Sequence, residues 1–196
     1  MRALVVYAHP SDDSLSHALF LSATKALEGA GHDVVGLDLY AEDFVAAMSA
    51  EERAAYHSDQ PVCSDQVARS AELVRWADTL VFVYPTWWMG VPAVLKGWLE
   101  RVLVPGVAFH LDPETHRVVS DLKHVRRIVG ITTYGSGWAR VRLMNDAGRR
   151  TLLRALRMLF ARRCRTTWLA LYGVDTSTAD QRAAFVTQVE QKLAAL

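Results

Sequence analysis

What this chain lacks narrows it first. It has two cysteines in 196 residues. Cys63 and Cys164 lie far apart and form no CxxC pair, so zinc or dithiol chemistry is not expected, and two reduced thiols in a cytosolic protein are. No apolar stretch approaches the length of a membrane span. The apolar run inside Met1–Tyr7 is too short for a secretory core, because it meets His9-Pro10 and polar residues at once. A cytoplasmic protein without membrane insertion is predicted. The formal net charge is only +1, so no global field draws the chain to nucleic acid or lipid. None of the seven histidines forms an HxxxH or HExxH pair, and no metal is expected. GxGxxG and GxxxxGK[ST] are both absent, which disfavours a Rossmann finger or a P-loop. Gly135-Ser136-Gly137 is not the GxSxG elbow of a serine hydrolase.

What is present is ordinary globular material, 51% hydrophobic and 22% charged, enough for a buried core. Short β-branched runs alternate with helical patterns. Residues 3–8 are apolar throughout, as a strand buried on both faces should be. Residues 14–29 keep helical spacing in Leu15, Ala18, Leu19, Ala23, Ala26 and Leu27, and Gly29 and Gly31 stop the helix. Residues 32–40 alternate apolar and polar, which suits a strand near a sheet edge. A short helix is expected at 49–56, with Ser49 as its N-cap, and another at 64–76. Residues 80–84 form the third strand, ended by Pro85, and 91–103 the next helix, with Pro92 in its first turn. Residues 106–124 read as a hairpin excursion around Asp112-Pro113-Glu114-Thr115. Then come a strand at 125–133, one long helix at 139–160, a strand at 165–172 and a closing helix at 178–196 capped by Ser177 or Thr178.

Five strands alternating with helices predict a single α/β domain over 1–196, with a parallel sheet covered by helices on both faces. The partly polar second strand favours the flavodoxin-like order 2-1-3-4-5, which places it at an edge. A ligand then belongs beyond the carboxyl ends of the strands, at the switch point. Three loops qualify.

The first, His9 to His17, runs into a helix N-terminus, where free N–H groups and the helix dipole suit phosphate. Ser14, Ser16 and His9 add polar groups; the plain alternative is that Ser14 only caps the helix. The second, Tyr84-Pro85-Thr86-Trp87-Trp88-Met89-Gly90, puts two tryptophans at the end of a buried strand. Their faces could stack a planar ring, or both could anchor the next helix. Trp98, in mid-helix, reads as packing. The third, Thr132-Thr133-Tyr134-Gly135-Ser136-Gly137, combines permissive glycines with consecutive N–H groups in an anion-friendly concavity. It is otherwise an ordinary glycine-rich turn.

These blocks resemble the flavodoxin-like NAD(P)H quinone reductases and their bacterial NAD(P)H-dependent oxidoreductase relatives. His9-Pro10, Ser14-Leu15-Ser16-His17, Asp38-Leu39-Tyr40, the run Tyr84 to Val102 and Thr132-Thr133-Tyr134-Gly135 carry the likeness over nearly the whole chain. The resemblance implies FMN or FAD (FMN is preferred for a chain of this length), NAD(P)H as donor and a homodimer with the site near its interface. It assigns Ser14, Ser16, His17 and nearby His9 to the phosphate side. Pro85, Thr86, Trp87, Trp88 and Met89 would line the ring, and Thr132, Thr133, Gly135 and Ser136 its pyrimidine edge. The chain departs from the pattern at Leu15-Ser16, at Tyr134 and in lacking the tyrosine and histidine of a side-chain proton relay. Arg140 and Asp146 stand near those positions.

The expected activity is two-electron transfer from NAD(P)H to a quinone, azo or nitro compound. Trp87, Trp88 and Tyr134 would wall the site, Tyr134 as the one candidate catalytic side chain, with Phe109 or His110 reaching in from the excursion of the same or a partner subunit. The alternatives are a flavin-bound regulatory subunit of a membrane transporter and a one-electron carrier. Residues 140–165 hold nine arginines against one acid, Asp146. They read mainly as a solvated, partly interfacial face, with Arg140 and Arg142 open to a cofactor phosphate, and not as a nucleic-acid site.

Overall fold

A computed structural model describes residues 1–58, 60–62 and 64–196. Asp59 and Cys63 lie outside it, and with them the reading of Cys63. In chain order the elements are β1 (Arg2–Tyr7), α1 (Leu15–Gly29), β2 (Asp33–Asp38), α2 (Ala50–Ala55), α3 (Asp65–Trp76), β3 (Thr79–Thr86) and α4 (Ala93–Val102). They continue with β4 (Phe109–Leu111), β5 (Val118–Ser120), β6 (Arg127–Tyr134), α5 (Trp138–Leu143), α6 (Ala147–Arg150), β7 (Arg165–Tyr172) and α7 (Ala179–Ala194). One five-stranded sheet runs β2-β1-β3-β6-β7, parallel throughout. That is the flavodoxin-like order, with β2 at one edge as its polar alternation requires.

Period-two alternation divides the core between the sheet's faces. Ala3, Val5, Tyr7, Val81, Val83, Val129 and Ile131 meet Leu19, Ala23 and Leu27 of α1 and Phe185, Val189 and Leu193 of α7. Leu4, Val6, Ala8, Leu80, Phe82, Tyr84 and Ile128 meet Val67, Ala71 and Val74 of α3 and Leu95, Trp98 and Val102 of α4. Each fully buried Val, Leu, Ile or Phe among them is worth about 1.5–3 kcal/mol. Trp98 is a core residue, with no exposed surface.

Helix starts follow the local chemistry. Ser14, Ser49, Ser64 and Thr178 each accept an amide of the first turn, and Ser49 and Thr178 complete reciprocal boxes with Glu52 and Gln181. Ser49–Glu52 joins a buried ion pair that sequence reading missed. Arg101 Nη2 donates to Glu52 Oε1 at 2.6 Å, and both groups are buried. Arg101 also donates to the Val45 carbonyl and to Ser64 Oγ, so one guanidinium joins α4, α2, the start of α3 and the segment between β2 and α2. Burial alone would raise the Glu52 pKa, but the Arg101 and Ser49 hydrogen bonds outweigh it and hold the carboxyl below its ordinary value.

Two boundaries differ from expectation. Pro85 does not end β3: the strand continues to Thr86, with Pro85 opposite Thr133. Val83 O accepts from Ala8 N, so residue 85, two positions on, faces the same side. There β1 has already turned away, and a missing N–H costs the ladder nothing. The long helix expected over 139–160 is broken. Helix α5 stops at Leu143, Asn145 and Asp146 are left-handed at φ 65° and 38°, and α6 is followed by a π-type turn (Thr151–Ala155) and a 3₁₀ turn (Leu156–Leu159). Asn and Asp tolerate that conformation better than other non-glycine residues. Asp146 is held in it by bonds to the Tyr134 hydroxyl and to Arg149 N.

The 106–124 excursion is a hairpin, with β4 and β5 antiparallel. It is anchored at the amino end of the main sheet, where Arg75 donates to Gly106 O at 2.8 Å and Ser120 to Leu159 O. That end is opposite the three loops. Phe109 and His110 therefore do not enter the site of their own chain, and His110 pairs instead with Asp121 at 2.8 Å.

Candidate functional site

Strands β1, β3 and β6 are neighbours and point the same way, so their three following loops open at one end of the sheet. The order switches between β1 and β3, which is where an open α/β sheet leaves its crevice.

In the first loop Ser14 caps α1. Its Oγ accepts from His17 N at 3.0 Å and lies 3.3 Å from the Tyr7 hydroxyl, and its carbonyl takes the amides of His17 and Ala18. The capping role foreseen for Ser14 is met, and it ties up much of that hydroxyl. The amides of Leu15 and Ser16 make no hydrogen bond among the described residues and remain, with the helix dipole, as the anion-facing donors. Ser16 is buried. Nδ1 of His17 is 2.7 Å from Asp12 O, and Nδ1 of His9 accepts from Ser11 N at 3.0 Å. Neither Nε2 has a hydrogen-bond partner among the described residues. Burial pushes the Tyr7 phenol above its ordinary pKa despite the Ser14 bond, so it stays neutral, stacked on Phe20.

The second loop is a tight turn. Trp87 N donates to Gly90 O at 3.2 Å and Gly90 N to Trp87 O at 3.0 Å, while Trp88 and Met89 sit at φ 50° and 58°. Positive φ at both central residues is the pattern of a type I′ turn, where Asn-Gly is usual. Side-chain-bearing residues there cost on the order of 1–3 kcal/mol each. Trp87 is 42% exposed and Trp88 103%. Neither anchors α4, so that alternative fails for both. The Trp87 ring centroid is 5.8 Å from that of His9, which joins the first and second loops.

The third loop is built on buried Thr132, Thr133 and Tyr134. Thr132 Oγ1 lies 2.9 Å from Thr86 Oγ1 and ties the ends of β3 and β6 together. Beyond Tyr134, Gly135 and Gly137 are exposed and Ser136 half-buried. Ser136 O accepts from Gly173 N at 3.1 Å. Tyr134 stacks on Tyr172 with centroids 4.8 Å apart and donates to the Asp146 carboxylate, 2.9 Å from both oxygens. Burial, with the Asp146 charge next, pushes the Tyr134 phenol far above its ordinary pKa. Burial likewise raises Tyr84, whose hydroxyl has no hydrogen-bond partner among the described residues. Tyr134 is thus a neutral phenol behind the loop. Gly148 closes over this cluster: a Cβ there would come 3.3 Å from Gly90 C and from the Tyr84 hydroxyl.

Within the sequence-predicted set, contacts join His9 to Trp87, Thr86 to Thr132 and Ser14 to His17, while Tyr134 is held by Asp146 and Tyr172. Pro85 and Thr133 are buried strand positions opposite each other. Asp146 and Tyr172 were missed as site residues. The available signal was Asp146, the lone acid among nine arginines. No group of His, Cys, Asp and Glu suited to a metal occurs among the described residues.

The family model described as flavodoxin-like fold matches residues 1–196. The chain belongs to this flavodoxin-like family. It is 34% identical over 154 residues to NAD(P)H dehydrogenase [quinone] 1 of Rattus norvegicus, a match that covers 69% of this chain and 54% of that protein. The chain spans about half the length of the curated relatives it matches. Smu.1420 from Streptococcus mutans UA159 superposes with TM-score 0.86 at 26% identity, over all of both chains. NAD(P)H:quinone oxidoreductase from Methanothermobacter marburgensis superposes at 0.79 with 24% identity, over 99% of this chain and 98% of its own, and shares the flavodoxin-like fold.

Proposed function

We propose that this chain holds a flavin on the three loops and carries electron pairs from NAD(P)H to a quinone or a comparable azo or nitro acceptor. The observation that carries the reading is the β3 turn, which spends backbone energy to leave Trp87 and Trp88 in solvent at the switch point. Strain kept at a ligand loop, with flat faces left exposed, suits a planar ring. The residues fit such a group on the phosphate side too, through the Leu15 and Ser16 amides and the His9 and His17 edges. The name of the rat relative supports the same chemistry.

A bound flavin supplies hydride acceptance and delivery between donor and acceptor. The protein's residues position it. Trp87 gives one wall, the Thr86–Thr132 pair fixes the spacing of two loops, and the Gly135–Ser136 backbone offers donors to an electron-rich ring edge. The Tyr134 phenol stays protonated behind them and supports the third loop through Asp146. FMN is the preferred form, because one terminal phosphate matches the pair of amides left at α1.

No helix of the described residues is long and apolar enough to cross a membrane, and the reading places the protein in the cytoplasm. It further takes the chain as a homodimer. Trp88, Leu143, Met144 and Met158 are large and exposed, and a second copy would cover such side chains and keep water from the site.

The test is a titration with FMN that follows tryptophan fluorescence, with the released flavin weighed afterwards. Saturable quenching that is lost in Trp87→Ala/Trp88→Ala supports the reading. A folded protein that quenches nothing and releases no flavin overturns it.

A further inference from the structure

Beside the third loop, sharing Asp146 and Tyr172 with its support, lies an open groove of about 440 Å³. Five guanidiniums line it: Arg142, Arg149, Arg150, Arg154 and Arg157. Among the described residues none of the five forms an ion pair. Arg142 lies over the Trp138 ring at 5.6 Å and Arg149 over Trp168 at 5.8 Å. The acid present, Asp146, is bonded to the Tyr134 hydroxyl. On a chain of formal charge +1, this is a local concentration of unneutralised positive charge.

The groove has a direction. Trp138, Asp146 and Tyr172 line it, and Tyr172, at the carboxyl end of β7, stacks on Tyr134 at the third loop. Thr166, near the amino end of the same strand, and Arg157 line it too. From Tyr172 to Thr166 along β7 the reach is about 20 Å at 3.3 Å per residue. A ligand whose reactive ring sits on the three loops can extend along this groove.

We propose that the groove binds the phosphate end of the nucleotide donor and prefers a donor carrying a 2′-phosphate. The inference rests on the reductase reading above and deepens it. Five guanidiniums less the Asp146 carboxylate leave four net positive charges. A pyrophosphate brings two negative charges, and a phosphomonoester adds roughly 1.5–2 more at neutral pH. The donor without the 2′-phosphate leaves half of the groove's charge unmatched. Guanidinium forks suit phosphate oxygens in pairs, and the Trp138 and Tyr172 rings flank the groove as faces for a base.

The test uses the full chain supplied with flavin, with adenosine 2′,5′-bisphosphate and adenosine 5′-monophosphate as calorimetric probes. The bisphosphate should bind at least tenfold more tightly. Arg154→Ala/Arg157→Ala should remove that preference and lower kcat/KM for NADPH relative to NADH at least tenfold. Arg154→Lys/Arg157→Lys should restore part of it. Equal binding of the two probes, or a preference unchanged by the alanine pair, overturns the proposal. So does a variant that changes the association state alone, since the groove would then be an interface between copies. Loss of NADH oxidation or of flavin binding by the unaltered protein would count against the reductase reading instead; the probe titration still decides the groove.

Discussion

Trp87 and Trp88 show how a residue can be legible while its setting is not. The doubled tryptophan after a buried strand marked the loop from composition alone. The left-handed backbone at Trp88 and Met89 had no signature, because neither residue is one that favours it. The cost of that turn makes the exposed rings informative, since a core anchor would not need it. Trp87 also meets His9, so its ring is held in place before a ligand arrives. Trp87→Ala should weaken flavin binding by about 0.5–1.5 kcal/mol beyond lost area, roughly twofold to tenfold in Kd. The melting temperature should stay close to that of the unaltered protein. Equal FMN affinities in the two proteins would remove Trp87 from the site.

At the scale of elements, strand order and most helix starts were readable, because burial on two faces and side-chain caps leave marks in sequence. The break at Asn145–Asp146 was not, because arginine-rich helical spacing on both sides hid it. Its cause is tertiary: the Asp146 carboxylate bonds the Tyr134 hydroxyl from another element. The Arg101–Glu52 pair was hidden for the same reason, 49 residues apart. Glu52→Gln keeps the size but leaves the Arg101 charge buried without its partner, which should cost about 3–5 kcal/mol near neutral pH. Because the folded carboxyl is held below its ordinary value of 4.5, the stabilisation is complete above that pH and disappears as pH falls through the folded value. Chemical denaturation of both proteins at pH 7 and at progressively lower pH should show the gap closing in acid. A constant gap would contradict the assignment. Helix α4 gives a second case. A Cβ on Gly97 would stand 2.1 Å from Ala46 O and 2.6 Å from Ala46 C. Alanine normally gains up to about 1 kcal/mol over glycine inside a helix, whereas forced overpacking costs about 1–3 kcal/mol. Two backbone atoms cannot give way as a flexible side chain can, so Gly97→Ala should lower the melting temperature. A rise would show that residues 44–48 relax.

For the whole molecule, the parallel sheet explains why the loops converge. Strands β1, β3 and β6 end side by side, so a helix N-terminus, a strained aromatic turn and a glycine-rich loop share one edge without any motif linking them in sequence. The hairpin, at the other end of the sheet, leaves that edge open. The exposed apolar groups along residues 138–158 lie on the chain that follows the third loop, which puts the surface proposed for a second copy next to the proposed site. The central claim is that this edge holds a flavin that accepts electrons from NAD(P)H. The direct measurement is the visible spectrum of the flavin-supplied protein under anaerobic conditions, before and after NADPH and then after a quinone. The account predicts bound-flavin bands that bleach with NADPH and return when the quinone is added. Bands that persist through excess NADPH and NADH, on a folded protein that retains its flavin, would contradict it.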